Sequence, residues 1–216
     1  MKIIAHRGAS GTYRENTIEA FQAAYEMEAT SIETDVRRCP ECWKLKLAHE
    51  PIRSEEECEA LADFADILPY GEKMELILEL KERGICKEAA IIADNLRWRD
   101  KITFSSFLWK ELWRTKQTSP RSNIGLLWDQ DAKNIPKYLV ALAGNFLGAS
   151  SIHLDIEMLK RNENLAAYFK KKHFNVYAYA VNSEPEIMFA NKLNLDGIFT
   201  DYPAYASYMI FGKTGD

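Results

Sequence analysis

Short apolar runs alternate with helix-forming segments from one end of the chain to the other, and this alternation limits the fold more than any other feature. Nine stretches read as strands: KIIAHRG (2–8), TSIETDV (30–36), KLKLAHE (44–50), MELILELK (74–81), KITFSSF (101–107), NIGLLW (123–128), SIHLD (151–155), NVYAYAVN (175–182) and DGIFTD (196–201). Between them lie helical segments such as ENTIEAFQAAYEME (15–28), EEECEALADFADIL (55–68), LWKELWRTKQ (108–117) and EPEIMFANKLN (184–194). Strand and helix in turn predict βα units around a parallel sheet. Nine strands are one too many for an eight-stranded barrel, and the spacing shows which is extra. Only RRCPECW joins Val36 to Lys44, and seven residues cannot carry a helical crossover. KLKLAHE is then the antiparallel return of a hairpin, and a turn centred near Glu41 sets His49 opposite Glu33. The other eight strands are expected to close as an α/β fold, a (β/α)8 TIM barrel with a β-hairpin extension after the second strand, in one domain over residues 1–216.

Composition narrows the partners. The 28 basic and 32 acidic residues are interspersed, the net charge is −4, and no basic stripe exists for a polyanion, so nucleic acid is not an expected partner. No apolar run approaches the roughly 18 residues of a membrane span, which predicts no stable membrane insertion. The first residues already read as a strand, leaving no room for a removable signal peptide, and a cytoplasmic protein is expected. Cysteines 39, 42, 58 and 86 are too few and too unevenly placed for a disulfide framework and are expected to be reduced. CPEC (39–42) has the spacing of a redox pair or half a zinc site. With no second ligand pair nearby in sequence, it reads as an exposed turn. Trp43, flanking that turn, is a candidate cover for a bound substrate.

In such barrels the working residues lie at the C-terminal ends of the strands. The first strand ends at His6-Arg7. Glu33 and Asp35, two residues apart on the second, share the inward face, as do Glu79 and Lys81 on LILELK, whose Leu76, Leu78 and Leu80 face the helices. Three carboxylates crowded at one mouth repel one another unless a cation sits between them. An all-oxygen set suits a hard divalent ion, Mg²⁺ or Ca²⁺, better than zinc. Each group also has a plainer reading. His6 alone could be a hydrogen-bonded structural residue, Glu79 and Lys81 a local ion pair, and His153 a residue that lines the barrel or bonds a neighbour. A solvated strand face does not account for Glu33 and Asp35, because a parallel barrel strand has none.

Taken in order, HRGAS (6–10), ENT (15–17), ETD (33–35), AHE (48–50), LELK (78–81), SSF (105–107), YAVN (179–182) and DGIFTDYP (196–203) resemble the glycerophosphodiester phosphodiesterase family along nearly the whole chain. The resemblance implies a TIM-barrel phosphodiesterase that hydrolyses glycerophosphodiesters, small-molecule substrates, to glycerol 3-phosphate and an alcohol with one divalent cation. It implies that Glu33, Asp35 and Glu79 hold the metal, that His6 and His49 are the general acid–base pair, and that Arg7 and Lys81 bind the phosphate. The chemistry agrees with those roles. A phosphodiester repels nucleophiles, so cations must neutralise its oxygens, and two imidazoles suit the two proton transfers. Gly8 is expected to let the backbone approach the ligand closely.

The chain departs from the family pattern in several places. About 25 residues separate His49 from LILELK, where many members carry an inserted subdomain, so a short form with a more open cleft is expected. Arg14 replaces the usual proline, Glu50 the usual aspartate and Tyr179 the usual tryptophan. Two other readings remain at this stage. One is a lysophospholipase D-like phosphodiesterase using the same site, ranked second because no long exposed amphipathic segment is visible. The other is a catalytically silent barrel that binds a phosphate metabolite.

Overall fold

The computed structural model of the chain describes residues 1–129 and 135–212, so residues 130–134 and 213–216 of the expected 1–216 domain lie outside the described residues. The strands are β1 (Lys2–His6), β2 (Ser31–Arg38), β3 (Leu45–Leu47), β4 (Glu75–Leu80), β5 (Ile102–Ser106), β6 (Asn123–Trp128), β7 (Ser151–Asp155), β8 (Asn175–Tyr179) and β9 (Gly197–Thr200). Eight of them pair in parallel in the order β1-β2-β4-β5-β6-β7-β8-β9, and β9 pairs with β1 again, so the barrel closes. The extra strand is β3, as the short link predicts. It pairs with β2 only beyond the rim, through Val36, Arg37 and Arg38. β4 holds one edge of β2 from Ser31 to Val36, while β1 holds the other only as far as Glu33. β3 therefore covers the edge that β1 leaves bare when it stops at His6.

The helices are α1 (Ile18–Glu26), α2 (Glu55–Glu59), α3 (Phe64–Ile67), α4 (Cys86–Asp94), α5 (Trp109–Thr118), α6 (Lys137–Leu147), α7 (Ile156–Arg161), α8 (Asn164–Lys170), α9 (Glu184–Lys192) and α10 (Pro203–Phe211). Their starts are set locally. Thr17 Oγ1 accepts from the Ala20 N–H at the head of α1, and Ser183 with Glu186 forms a reciprocal capping box at the head of α9. Period-2 alternation divides each barrel strand. Leu76, Leu78 and Leu80 are fully buried against the helices, while Ile4, Ile77, Tyr177 and Phe199 form a separate apolar layer inside the barrel.

Three local expectations are corrected. The hairpin register pairs Val36 with Leu47, which would carry His49 opposite Thr34 rather than Glu33, and the ladder ends before reaching either. The cause lies in the turn. The Cys39 N–H donates to the Lys44 carbonyl, and Trp43 adopts a left-handed φ of 62°, so the turn centres between Glu41 and Cys42. The single helix expected over 55–68 breaks into α2 and α3, because the Ala62 carbonyl accepts the Leu47 N–H and Lys46 bridges Asp63, drawing that backbone to the free side of β3. The cysteines are not all free: Cys39 and Cys58 form a disulfide. α2 returns Cys58 to the hairpin across 19 residues of chain, a contact that spacing alone does not reveal.

Two surface features complete the frame. Among the described residues no helix is long and apolar enough to cross a membrane. α6 nonetheless exposes Tyr138, Leu139, Leu142 and Phe146, an apolar stripe that the sequence reading did not anticipate.

His153 lies inside the barrel on β7, wholly buried between the rings of Tyr177 and Phe199, with centroids at 5.2 and 5.0 Å. Its Nε2 shares a 2.9 Å hydrogen bond with Ser151 Oγ, while Nδ1 has no hydrogen-bond partner. Burial pushes its pKa down to about 3, so the folded protein holds it neutral where the unfolded chain would protonate it. Because the unfolded state then binds more protons, this contribution to stability is present above the ordinary histidine value of about 6.5 and is lost as pH falls below it. Between pH 7.5 and 5, wild type should lose about 2 kcal/mol of urea-unfolding free energy beyond what His153→Gln loses. Equal losses would show that the imidazole is not held neutral.

Candidate active site

The mouth of the barrel is built by the strand ends. The register sets His6 beside Glu33 and, two residues further along β2, Asp35 beside Glu79, so three adjacent strands deliver an imidazole and three carboxylates to one mouth. Glu33, Asp35 and Glu79 each place an oxygen within 4.8 Å of the others, and all three residues are buried. Lys81 leaves the end of β4 on the same face, its Nζ 3.0 Å from Glu79 Oε1 and 3.4 Å from Asp35 Oδ1. Arg7 reaches in from the opposite side. Its backbone N–H donates to Glu33 Oε2 at 3.0 Å, its Nε lies 3.1 Å from Asp35 Oδ2, and its Nη1 donates to Glu15 at 2.7 Å.

The electrostatics follow from burial. Burial, then the charges of Asp35 and Glu79, hold Glu33 well above the ordinary carboxylate range against the pull of Arg7. Burial raises Glu79 to about 7, with Asp35 adding to the rise and Lys81 opposing it. For Asp35 burial acts in the same direction, but Lys81, Arg7 and Asn16 outweigh it and the net shift is downward. The buried Asp35 Oδ1 has no hydrogen-bond partner. A buried carboxylate oxygen that receives no hydrogen bond and only the 3.4 Å approach of Lys81, beside two neighbours that resist ionisation, is the donor set of a hard cation site, and these residues fit one divalent ion.

His6 and His49 face the same cavity of about 200 Å³, which Arg7, Glu33, Glu79, Lys81, Phe107 and Tyr179 also line. His6 Nδ1 donates to Asp201 Oδ1 at 2.6 Å. An ionised carboxylate only accepts, so the proton sits on Nδ1 and Nε2 is the free nitrogen. His49 follows β3, with its carbonyl accepting Arg37 Nε at 2.8 Å and its Nδ1 3.0 Å from Glu50 Oε1. Burial first, then Arg7 and Lys81, lower its pKa, while Asp35 and Glu50 act against them. His49 also borders a wider outer groove of about 630 Å³, walled by Arg14, Glu15, Glu56 and Glu57 of α2, and Ala60 and Leu61 just beyond it. Trp43 lines neither cavity and stands exposed on the hairpin.

All seven residues singled out in the sequence thus meet at one mouth, and four more join them. Asp201, just past β9, accepts from His6, Ser10 Oγ (3.0 Å) and Asn182 Nδ2 (2.6 Å); burial raises its pKa, but these bonds outweigh it and lower it. Asn16, buried beneath the carboxylates, donates to Asp35 Oδ2 at 3.1 Å and accepts from Thr34 Oγ1 and the Asp35 N–H. The position of Asp201 at a strand's C-terminal end was the available signal. Gly8 meets a packing requirement of its own. It has φ +84°, and a Cβ there would lie 2.7 Å from Ala20, so it is needed where the β1–α1 turn packs on α1.

Cations, imidazoles and clustered carboxylates at the mouth of a closed (β/α)8 barrel define an enzyme class that handles anionic esters. The sequence profile of the Glycerophosphoryl diester phosphodiesterase family matches residues 6–39 and 55–205. The chain belongs to this family. The segment 40–54, which carries Cys42 and His49, lies outside the matched residues. Among curated proteins, YhdW of Bacillus subtilis (strain 168), provisionally named a glycerophosphodiester phosphodiesterase, is 25% identical over 245 residues, covering 95% of this chain and 96% of its own length. Among solved structures, a glycerophosphodiester phosphodiesterase from Parabacteroides distasonis ATCC 8503 superposes with a TM-score of 0.80 at 18% identity, over 98% of this chain and 97% of its own. A phosphodiesterase from Oleispira antarctica, solved with the product sn-glycerol-3-phosphate, gives a TM-score of 0.73 at 19% identity, over 97% and 96% of the two chains.

Asp201 is a positioning residue for His6 in this geometry. On the reading that His6 moves a proton, Asp201→Asn should lower kcat on glycerophosphocholine about 100-fold or more while KM moves only a few-fold, because an amide there no longer fixes the proton on Nδ1 and leaves the groups that would bind substrate in place. A change confined to KM would show that Asp201 does not act through His6.

Proposed function

We propose that this protein hydrolyses glycerophosphodiesters to glycerol 3-phosphate and an alcohol, with His6 and His49 exchanging the protons, Arg7 and Lys81 holding the phosphate, and Glu33, Asp35 and Glu79 holding one divalent cation, Mg²⁺ or Ca²⁺. The observation that carries this reading is the single cavity of about 200 Å³ that both histidines line together with Arg7 and Lys81. Family membership and the glycerol 3-phosphate found with the Oleispira antarctica relative support the substrate class.

The residues divide the work by charge and by proton. Arg7 spends Nε and Nη1 on Asp35 and Glu15, which leaves Nη2 for a phosphate oxygen, and Lys81 adds a second positive charge at the same mouth. His49 is held neutral near pH 7 and is suited to take a proton from the attacking hydroxyl. His6, oriented by Asp201, presents Nε2 toward the leaving oxygen. When bound among the carboxylates, the cation supplies Lewis-acid neutralisation of the phosphoryl oxygens. Tyr179, with its hydroxyl donating to the Trp128 carbonyl and its ring edge-on to Phe107, walls the side where an alcohol group would sit.

A lysophospholipid is the second candidate substrate for the same groups, favoured by the apolar stripe on α6, which could rest on a lipid surface. The deciding experiment follows release of glycerol 3-phosphate from glycerophosphocholine and glycerophosphoethanolamine, and of choline from lysophosphatidylcholine, with Mg²⁺, with Ca²⁺ and with EDTA. Release from the water-soluble diesters that EDTA abolishes is expected, with His6→Ala and His49→Ala each lowering kcat about 10²- to 10⁴-fold and Glu33→Ala losing the metal response. Choline release from the lysolipid alone would move the assignment to the second reading. No release by folded, metal-supplied wild type from any substrate would leave a silent phosphate-binding barrel.

A further inference from the structure

The CPEC turn does not stand alone in the folded chain. α2 brings Cys58 onto it, and one sulfur from each of Cys39, Cys42 and Cys58 lies within 4.8 Å of the other two. Cys39 and Cys58 are buried and joined as a disulfide, whereas Cys42 is an exposed free thiol with its Sγ 3.4 Å from Cys58 Sγ. A disulfide needs two sulfurs and has no use for the third. The Cys42 N–H also points at Cys39 Sγ, at 3.4 Å, a contact that stabilises sulfur best when it carries negative charge. Arg38 braces the same turn, its Nη1 donating to the Trp43 carbonyl while its Nη2 pairs with Glu88 at 2.8 Å.

We propose that, in its reduced state, this chain carries a second metal site, in which the thiolates of Cys39, Cys42 and Cys58 bind one Zn²⁺. Tetrahedral zinc with Zn–S bonds near 2.3 Å holds its sulfurs about 3.8 Å apart, so the cluster closes on the ion with small side-chain shifts. Soft sulfur donors select zinc and reject the hard ions that suit Glu33, Asp35 and Glu79. The fourth position faces solvent on the Cys42 side, where a water completes the set. The states interconvert in balance. Two electrons and two protons from a dithiol reductant convert the Cys39–Cys58 bond into two thiols; zinc then enters as the three thiol protons leave. In either state the hairpin turn is fastened to α2, whose Glu56 and Glu57 wall the outer groove beside His49.

The test is independent of the phosphodiesterase assignment. Protein reduced with a phosphine, freed of metal and kept under argon is titrated with Co²⁺, whose thiolate-to-metal charge-transfer absorption arises only from sulfur ligands. One equivalent should develop that absorption, and Zn²⁺ should abolish it. Cys42→Ser, which leaves the disulfide partners in place, should weaken Co²⁺ binding by more than about 10-fold; Cys86→Ser, at a buried thiol outside the cluster, should leave it unchanged. Zn²⁺ should also raise the melting temperature of the reduced wild type but not that of Cys42→Ser. Reduced wild type that develops no charge-transfer absorption, or a Cys42→Ser protein that develops it equally, would overturn the site.

Discussion

Three carboxylates held out of water within 4.8 Å of one another set the terms for the rest of this molecule. Coulomb repulsion between such groups grows as water leaves, so each neighbouring element has to supply compensating charge or a donor. Lys81 comes from the end of β4 and Asn16 from beneath β2. The Arg7 N–H turns onto Glu33 because Arg7 leaves the strand with a left-handed φ of 57°, and Gly8 at 84° completes the reversal. The β1–α1 turn is thus shaped by the carboxylates it serves. Its close packing on Ala20 transmits that shape to the position of α1.

The two histidines are held very differently. His6 sits on a barrel strand and is fixed by Asp201, which Ser10 and Asn182 fix in turn, so its orientation follows from the closed sheet. His49 stands on an appended hairpin whose ladder with β2 is only three pairs long. One imidazole therefore has a rigid mount and the other an attached one. The attachment exists because β1 stops at His6, leaving the upper edge of β2 free for β3. Closing the barrel at that level both ends the first strand in a histidine and makes room for the second.

Much of this was legible because it depends on periodicities. Strand alternation put Glu33, Asp35, Glu79 and Lys81 inward and Leu76, Leu78 and Leu80 outward, and a short link marked β3 as the extra strand. What escaped were contacts between segments far apart in sequence. The hairpin register slipped by one because the Cys39–Lys44 turn geometry, not its composition, sets the centre. Residues 55–68 have a helical pattern but lose a turn to the backbone of β3. Asp201 and Asn16 look like ordinary loop polar residues until the sheet closes, and Cys58 looks isolated until α2 returns it to Cys39.

That last contact answers a mechanical problem. A three-pair ladder beyond the rim has few hydrogen bonds of its own, and isolated two-stranded ribbons are marginal in water. The hairpin is instead tied at several points along its length. Arg37 Nε donates to the His49 carbonyl at one end, the Leu47 N–H reaches Ala62 in the middle, and Lys46 bonds Asp63 Oδ1 at 2.7 Å, an ion pair that lowers the Asp63 pKa chiefly through that hydrogen bond. The sulfur cluster ties the turn itself to α2, and Arg38, which holds the Trp43 carbonyl and pairs with Glu88, braces it from the other side of the ladder. Holding the turn to α2 limits the swing of the whole lever on which His49 is carried. A barrel that carries one of the two histidines lining its mouth cavity on such a lever needs a fastening at that end.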